Sequence, residues 1–498
     1  MIVEELATQI MQTFGFVPTA DQAKATAVFS RFLLDRDGSS VMIMRGSAGT
    51  GKTSLAAAIV KTLVKLRQRV ILLAPTGRAA KVFSVNAGRP AFTIHRRIYR
   101  QKTFAGESTG FSLNDNMYHD TLFIVDEASM IANGGGGEGA VFGTGCLLDD
   151  MVSFVYGGRN CRMMIIGDMA QLPPVGEEES PALMADFMAG YGLKVYQCDL
   201  NEILRQASGS GILYNATEIR SMITHDEVTR LPKITFSGFA DIRMVPGGEL
   251  IEQLNSSYSE VGTDETIVIT RSNKRANAYN AGIRGMVLGR EEELTTGDML
   301  MVVRNNYYWT EKAAAEEKAL EDSSTGNGDG RKAESQALPF IANGDRAMVV
   351  RVRNLREFYG LHFADVWLQF PDYDNYEIMV TAVTDSLMAE APALTCEQSE
   401  RLFNGVMEDY QDVPLKADRL KKVRQDPCYN ALQIKYAYAV TCHKAQGGQW
   451  AHIYVDQGYM TDDMLSPDYI HWLYTAFTRA TEKLFLVNWP KTQTEGLH

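Results

Sequence analysis

The sequence has no run of about 18 uninterrupted apolar residues, the least that crosses a bilayer as a helix. Its start, MIVEELATQI, carries acids where a secretory leader carries basic residues, so the expectation is a chain kept in the cytoplasm. CxxC pairs and Cys/His clusters are missing too. The six cysteines (Cys146, Cys161, Cys198, Cys396, Cys428 and Cys442) are scattered, which argues for reduced thiols and against a disulfide or zinc framework. Positive charge is also scarce: 49 Lys and Arg face 61 Asp and Glu, for a net charge of -12. A broad basic face that coats nucleic acid draws its affinity from many phosphate neutralisations and is excluded. A narrow single-strand groove is not, because it needs only a few local cations, backbone amides and stacking surfaces.

What is present is a soluble-protein composition, 45% hydrophobic and 22% charged, spread over 498 residues. That length exceeds one hydrophobic core and predicts two or three domains. Up to residue 200, short β-rich runs alternate with helical stretches: VMIM (41–44), RVILLA (69–74), TLFIVD (121–126) and RMMIIGD (162–168). This alternation predicts a parallel sheet covered by helices on both faces. A second series opens at TIVIT (266–270) and returns at AHIYVD (451–456) and KLFLVNW (483–489). Between them, ELTTGDMLMVVRNN and IANGDRAMVVRVRN contain Gly-Asp turns beside β-like runs and predict a small antiparallel barrel. Residues 311–336 read as helix followed by low complexity, and NGGGGEG (133–139) reads as a linker, since no strand-to-helix turn surrounds it.

The strongest chemical signal is Gly46-Ser47-Ala48-Gly49-Thr50-Gly51-Lys52-Thr53, a GxxxxGK[ST] loop placed after a strand and before a helix, with Ser54 following. Glycines there let successive amides face phosphate oxygens, Lys52 reaches the β and γ phosphates of ATP, and the Thr53 hydroxyl suits Mg²⁺. A second apolar strand ends in Asp126-Glu127. Adjacent acids permit a division of labour, Asp126 for the Mg²⁺ shell and Glu127 for the attacking water, which favours hydrolysis over transfer to a small molecule.

The strand at 162–168 ends in Gly167-Asp168-Met169-Ala170-Gln171-Leu172-Pro173-Pro174. With the DEAS box before it, this resembles motif III of superfamily 1 helicases, specifically the 1B branch that includes RecD and Dda. The other motifs appear in that family's order. Pro18-Thr19-Ala20-Asp21-Gln22 resembles the Q motif, and Leu200-Asn201-Glu202-Ile203-Leu204-Arg205-Gln206 resembles motif IV. Thr441-Cys442-His443-Lys444-Ala445-Gln446-Gly447-Gly448 resembles motif V, and Tyr474-Thr475-Ala476-Phe477-Thr478-Arg479-Ala480 resembles motif VI. The resemblance implies that Gln22 reads adenine, Gln171 senses the γ-phosphate, Arg205 and Arg479 meet it as arginine fingers, and Gln446 and Gly447 border the nucleotide.

For the DNA track, motifs Ia and Ib are matched by Pro75, Thr76 and Arg78, with Lys81 nearby, and by Thr93, His95 and Arg96, followed by Arg97. A strand-end hydroxyl with free amides suits a phosphate, and His, Arg and Tyr together offer stacking and cationic contacts. By resemblance, Arg271, Asn273, Thr441 and His443 contact the same strand. A solvated helix face is the alternative for Arg78, Lys81, Arg96 and Arg97.

The implied fold is two RecA-like P-loop domains with an inserted SH3-like barrel and a hairpin wedge at about 100–118, with Phe104 or Phe111 at its tip. The implied borders are 1–200 for the first core, 201–285 and 433–498 for the second, and 286–432 for the insertion, with a linker at about 322–336. The implied activity is ATP-dependent 5′ to 3′ translocation on single-stranded DNA with unwinding of forked and tailed duplexes, without a membrane partner. A DNA-stimulated ATPase that works as a switch or subunit without unwinding shares every ATP motif and stays open, as does RNA as the track.

Overall fold

The computed structural model describes residues 2–104, 107–134, 143–203, 209–224, 230–323 and 340–495. The chain forms two compact units, Met1–Pro246 with Ala445–His498, and Gly247–Lys444.

The first unit opens with helices α1 (Ile2–Phe14) and α2 (Ala20–Leu33), then β1 (Ser40–Gly46), α3 (Lys52–Lys65), β2 (Arg69–Ala74) and α4 (Gly77–Ala87). After these come β3 (Ala91–Thr93), α5 (Ile94–Ile98), the antiparallel pair β4 (Tyr99–Phe104) and β5 (Glu107–Leu113), and β6 (Thr121–Val125). The run continues with α6 (Leu147–Gly157), β7 (Arg162–Gly167), α7 (Ala185–Gly190), β8 (Lys194–Leu200), α8 (Gly211–Thr224), β9 (Ile234–Thr235) and β10 (Ile242–Val245). Six strands make one parallel sheet in the order β3-β2-β6-β7-β1-β8. Its centre is apolar on both faces, as a helix-covered parallel sheet requires: Val41, Met42, Ile43 and Met44 of β1 are fully buried. Phe29, Phe32, Leu55, Ile59, Leu63 and Phe83 pack against it from the helices, each burial contributing about 1.5–3 kcal/mol.

Local chemistry sets the helix ends. A capping box starts α2, where Thr19 accepts from the Gln22 amide and Gln22 accepts from the Thr19 amide. Thr76 caps α4, which ends on Gly88 in a left-handed conformation that no Cβ opposes.

The second unit holds α9 (Leu250–Val261), β11 (Thr266–Thr270), α10 (Asn273–Gly282), β12 (Met299–Val302), α11 (Tyr308–Ser323), β13 (Arg346–Phe358), β14 (Leu361–Phe370) and β15 (Tyr376–Val383). It ends with α12 (Cys396–Asp409), α13 (Lys416–Arg424), β16 (Leu432–Tyr436), β17 (Ala439–Thr441) and the short α14 (Cys442–Ala445), which runs to the border. Strands β12 to β16 close a five-stranded barrel. It is antiparallel except where β15 and β16 run parallel, a mixed pattern that the hairpin-based expectation does not contain. Gly297 and Gly344 take positive φ as the Gly-Asp turns demand, and the following Asp298 and Asp345 are buried and accept backbone amides. The charged stretch 397–424 folds into α12 and α13, whose Leu402, Val406 and Val423 cover Leu361, Phe363 and Val383 of the barrel.

The returning chain adds β18 (Trp450–Asp456), α15 (Pro467–Phe477), β19 (Ala480–Val487) and β20 (Thr494–Glu495) to the first unit, where β10, β19 and β18 lie parallel. The second parallel series thus has strands in both units, with β11 and β17 paired in the other. The domain borders expected from sequence follow the strand series rather than compactness. One strand departs from them: β16 closes the barrel four residues past the expected end at 432. Most of the Gly-rich segment and the low-complexity residues 324–339 lie outside the described residues. No helix among the described residues is long and apolar enough to cross a membrane.

Candidate functional site

Strand β1 delivers the phosphate loop and α3 receives it. Gly49 and Gly51 both have φ of 78°, and a Cβ on Gly46 would stand 2.8 Å from the Thr50 hydroxyl and 2.9 Å from Leu200, so the loop closes only on glycine. Lys52 donates to the carbonyls of Gly46 (2.7 Å) and Ser47 (2.9 Å), with its ammonium 4.0 Å from Asp168. Thr53 is half-buried and Ser54 exposed at the start of α3. Gln22 is fully buried: its carboxamide oxygen accepts from Thr19 and its nitrogen donates to the Thr50 carbonyl at 3.0 Å. It therefore braces the loop from behind rather than presenting an edge to a base.

The acids sit two strands over, with β7 between β6 and β1. Asp126 follows β6, and Glu127 is held at φ 52°, a left-handed conformation that costs a non-glycine residue about 1–3 kcal/mol. Burial, then the Glu127 carboxylate, push the Asp126 pKa up to about 7. A divalent cation fits such a spot, because a buried carboxylate driven toward its neutral form regains charge beside a dication. Arg479, 2% exposed, points a guanidinium nitrogen at Glu127 (3.5 Å) and donates to the Thr475 (3.2 Å) and Gly448 (3.3 Å) carbonyls. Gln171 is buried, and its carboxamide oxygen accepts no hydrogen bond among the described residues. Arg205 lies outside the described residues.

Two predicted nucleotide neighbours are placed elsewhere. Gln446 donates to the Leu172 carbonyl (2.6 Å), and Gly447, at φ 71°, lies where a Cβ would stand 3.0 Å from the Thr76 hydroxyl. Both join the motif V loop to motifs III and Ia rather than to the phosphate loop.

Conversely, two residues with no assigned role reach the phosphate loop. Tyr474 accepts from the Ala48 amide (2.9 Å) and donates to Asp168 (2.6 Å), and Arg220 on α8 donates to the Ser47 hydroxyl (2.9 Å) and to Asn201 (2.9 Å). Tyr474 stands inside the motif VI wording. Arg220 stands in no motif, and only folding brings α8 across the loop.

On the track side, Thr76 and Thr93 cap α4 and α5 at the same edge of the sheet, since Ala74 pairs with Thr93, and Pro75 beside Thr76 is half-buried. Arg78 donates to the Gln449 carbonyl (2.8 Å) and lies 5.6 Å from the Trp450 ring centre. Arg96 and Arg97 stack on Phe92 at 5.8 and 4.6 Å, so they are anchored rather than solvated. Burial lowers the His95 pKa to about 4, and its ring lies 5.6 Å from that of Tyr99. In the second unit, Thr270 pairs with Thr441, and this gathers Arg271, Asn273, Thr441 and His443 at one end of the β11–β17 pair, with Arg271 and His443 exposed.

Residues 105–106, between β4 and β5, lie outside the described residues. Phe104 is the last residue of β4 and pairs with Glu107, and its side chain is not described. Phe111 pairs with Gln101 well back along the strand, is 9% exposed, and its carbonyl accepts from the Gly143 amide (2.9 Å).

The AAA domain family matches residues 19–231, and the UvrD-like helicase C-terminal domain family matches residues 436–487. The ATP-dependent DNA helicase dda of Enterobacteria phage T4 is 26% identical over 265 residues, covering 52% of this chain and 55% of the relative. The ATP-dependent RecD2 DNA helicase of Deinococcus radiodurans is 29% identical over 180 residues, covering 36% and 21%. The chain thus spans only about half of the first relative's length and a fifth of the second's. Among solved structures, Pif1 helicase from Bacteroides with ADP-AlF3 and ssDNA aligns with a TM-score of 0.46 at 15% identity, over 96% of this chain and 94% of that one. The two family matches, the two sequence relatives and the order of the motifs together make the chain similar to superfamily 1B helicases of the RecD and Dda type.

Proposed function

We propose that the chain is an ATP-driven motor that moves 5′ to 3′ along single-stranded DNA and separates forked and tailed duplexes. The observation that carries this reading is a pair of contacts built on the buried Asp168 and Arg479: Lys52 beside Asp168 at 4.0 Å, and Arg479 beside Glu127 at 3.5 Å, next to a glycine-turned phosphate loop. Support for DNA as the track comes from the sequence relatives, both described as ATP-dependent DNA helicases. The polarity rests on the resemblance to the RecD and Dda branch.

In this reading the amides of residues 46–53 and the N-terminus of α3 hold the triphosphate. Lys52 exchanges its two loop carbonyls for phosphate oxygens. Thr53 and Asp126 would hold Mg²⁺, which neutralises charge on the triphosphate. Glu127 takes a proton from the attacking water as its oxygen bonds the γ phosphorus and the bond to the bridging oxygen breaks, releasing ADP and phosphate. Gln171, with a free buried acceptor, holds the water's other proton. Arg479 leaves Glu127 for the γ oxygens, where a guanidinium stabilises spreading charge bidentately, and Arg205 is its proposed companion. Cycles of grip and release then pass to the proposed strand contacts, Pro75, Thr76, Arg78, Thr93 and Arg96 in the first unit and Arg271, Asn273, Thr441 and His443 in the second.

The test is hydrolysis of ATP with Mg²⁺, with and without single-stranded DNA, using Lys52→Ala as the blank. Stimulation by DNA that Lys52→Ala abolishes supports the motor, and absence of hydrolysis in the presence of DNA overturns it. A DNA-stimulated ATPase that does not unwind is the second reading, and the burial of Phe111, one of the two wedge candidates, favours it.

A further inference from the structure

Backbone amides of a phosphate loop are the groups that receive phosphate oxygens. Here one of them is taken by a side chain. The Ala48 amide donates to the phenol oxygen of Tyr474 at 2.9 Å, and that phenol gives its own proton to Asp168 at 2.6 Å. Tyr474 is 1% exposed, so the arrangement is built into the interior. Its place along the loop is informative. The amides of residues 51–53 form the start of α3, whereas Ala48 lies toward β1, and the phenol that it bonds reaches Asp168, 4.0 Å from the Lys52 ammonium, the group that meets the β and γ phosphates.

Tyr474 also sits on the helix that leads to the arginine finger. Thr475, the next residue, accepts from the Leu172 amide (2.8 Å) and offers its carbonyl to Arg479, which grips Glu127. A shift of Tyr474 therefore moves the anchor of Arg479.

We propose that Tyr474 is a positioning residue that competes with the terminal phosphate of ATP for the Ala48 amide. ATP displaces the phenol and loosens the hold of α15 on Arg479. After hydrolysis the phenol returns to Ala48 and opposes rebinding of phosphate. ADP, which lacks the terminal phosphate, leaves the phenol in place. This inference rests on the ATP-site reading above.

The test compares nucleotide affinities of the full chain and of Tyr474→Phe, which keeps the ring and loses the hydroxyl. An ordinary hydrogen bond is worth about 0.5–1.5 kcal/mol, so Tyr474→Phe is expected to bind ATPγS about 2- to 12-fold more tightly and ADP with unchanged affinity. A KM for ATP that falls while kcat also falls accompanies this, because the phenol no longer opposes phosphate rebinding. An equal change for both nucleotides, or no gain for ATPγS in a variant with the wild-type melting temperature, overturns the proposal. If Tyr474→Phe does not fold, hydrogen exchange of wild-type residues 467–479 replaces it: the proposal requires a difference between ATPγS and ADP, and identical exchange overturns it. Failure of the wild-type chain to bind either nucleotide sinks the ATP-site reading itself and is thereby distinguished from failure of the Tyr474 proposal.

Discussion

At the residue scale the site is held by pairs that have to exchange partners. Arg479 is anchored by two carbonyls and by Glu127, a set that suits a planar guanidinium and not a compact ammonium. Arg479→Lys is expected to lower kcat for ATP by about a thousandfold or more with little change in nucleotide affinity, as removal of an arginine finger does. Steady-state kinetics beside equilibrium binding check this, and a matching loss of affinity contradicts it. Gln22 makes a sharper case, because the motif resemblance and the geometry differ. Both ends of its carboxamide are bonded within the protein, to Thr19 and to Thr50. Gln22→Ala should cost about 0.5–2 kcal/mol through the lost cap and raise KM for ATP and GTP alike, whereas a defect confined to ATP would restore the adenine-reading role. Lys52, Asp126 and Glu127 were legible because strand-ending glycines and acids announce themselves in one dimension. Arg220 was not, since an arginine in the second half of an amphipathic helix carries no local sign that the helix will cross a phosphate loop.

At the scale of elements, two buried acids in the barrel turns have opposite pH behaviour. Asp298 is fully buried between Arg284 (2.9 Å) and Arg290 (2.7 Å), and accepts from the Thr295 amide. Burial alone would raise its pKa, but these partners outweigh burial and hold it below the ordinary 3.8. A depressed folded-state pKa gives stability that is present at neutral pH and lost as pH falls through that lower value. Asp298→Asn leaves the buried Arg284 and the half-buried Arg290 short of a counter-charge and should cost about 3–5 kcal/mol in denaturant melts at neutral pH, a penalty that shrinks in acid. Asp345 is the reverse case. Burial raises its pKa to about 7, despite bonds from the Ala342 amide and Tyr373. Its folded form prefers to be neutral, so its contribution is full below the ordinary carboxylate value and is lost as pH rises toward 7. Asp345→Asn is therefore expected to gain on the wild type as pH climbs from about 4 to about 7 and to hold a constant advantage above. An advantage that is flat across this range contradicts the account. The Gly-Asp turns were visible in sequence as turns. That their carboxylates would be buried, one beside arginines only 8 and 14 residues before it and one without a counter-charge, follows from the closing of the barrel, which no single segment states.

At the scale of the whole molecule, the α/β alternation foretold the six-stranded parallel sheet because fully apolar strands and capped helices carry distinct periods. The barrel was foretold as well, but not its parallel β15–β16 pair, which joins segments separated by the charged helices α12 and α13. The division into compact units escaped sequence reading for a related reason: β18, α15 and β19 return to the first unit after an excursion of about 200 residues, and nothing in their own composition states where they will pack. That return brings Tyr474 and Arg479 to the phosphate loop and the acids, so the site itself is a product of long-range topology. The central claim is that this site drives strand separation, and the most direct measurement uses matched forked, 5′-tailed and 3′-tailed duplexes with ATP and Mg²⁺, with Lys52→Ala as the blank. The account predicts ATP-dependent unwinding of the forked and 5′-tailed substrates, none of the 3′-tailed one, and none with Lys52→Ala; DNA-stimulated hydrolysis without separation of any substrate would contradict it.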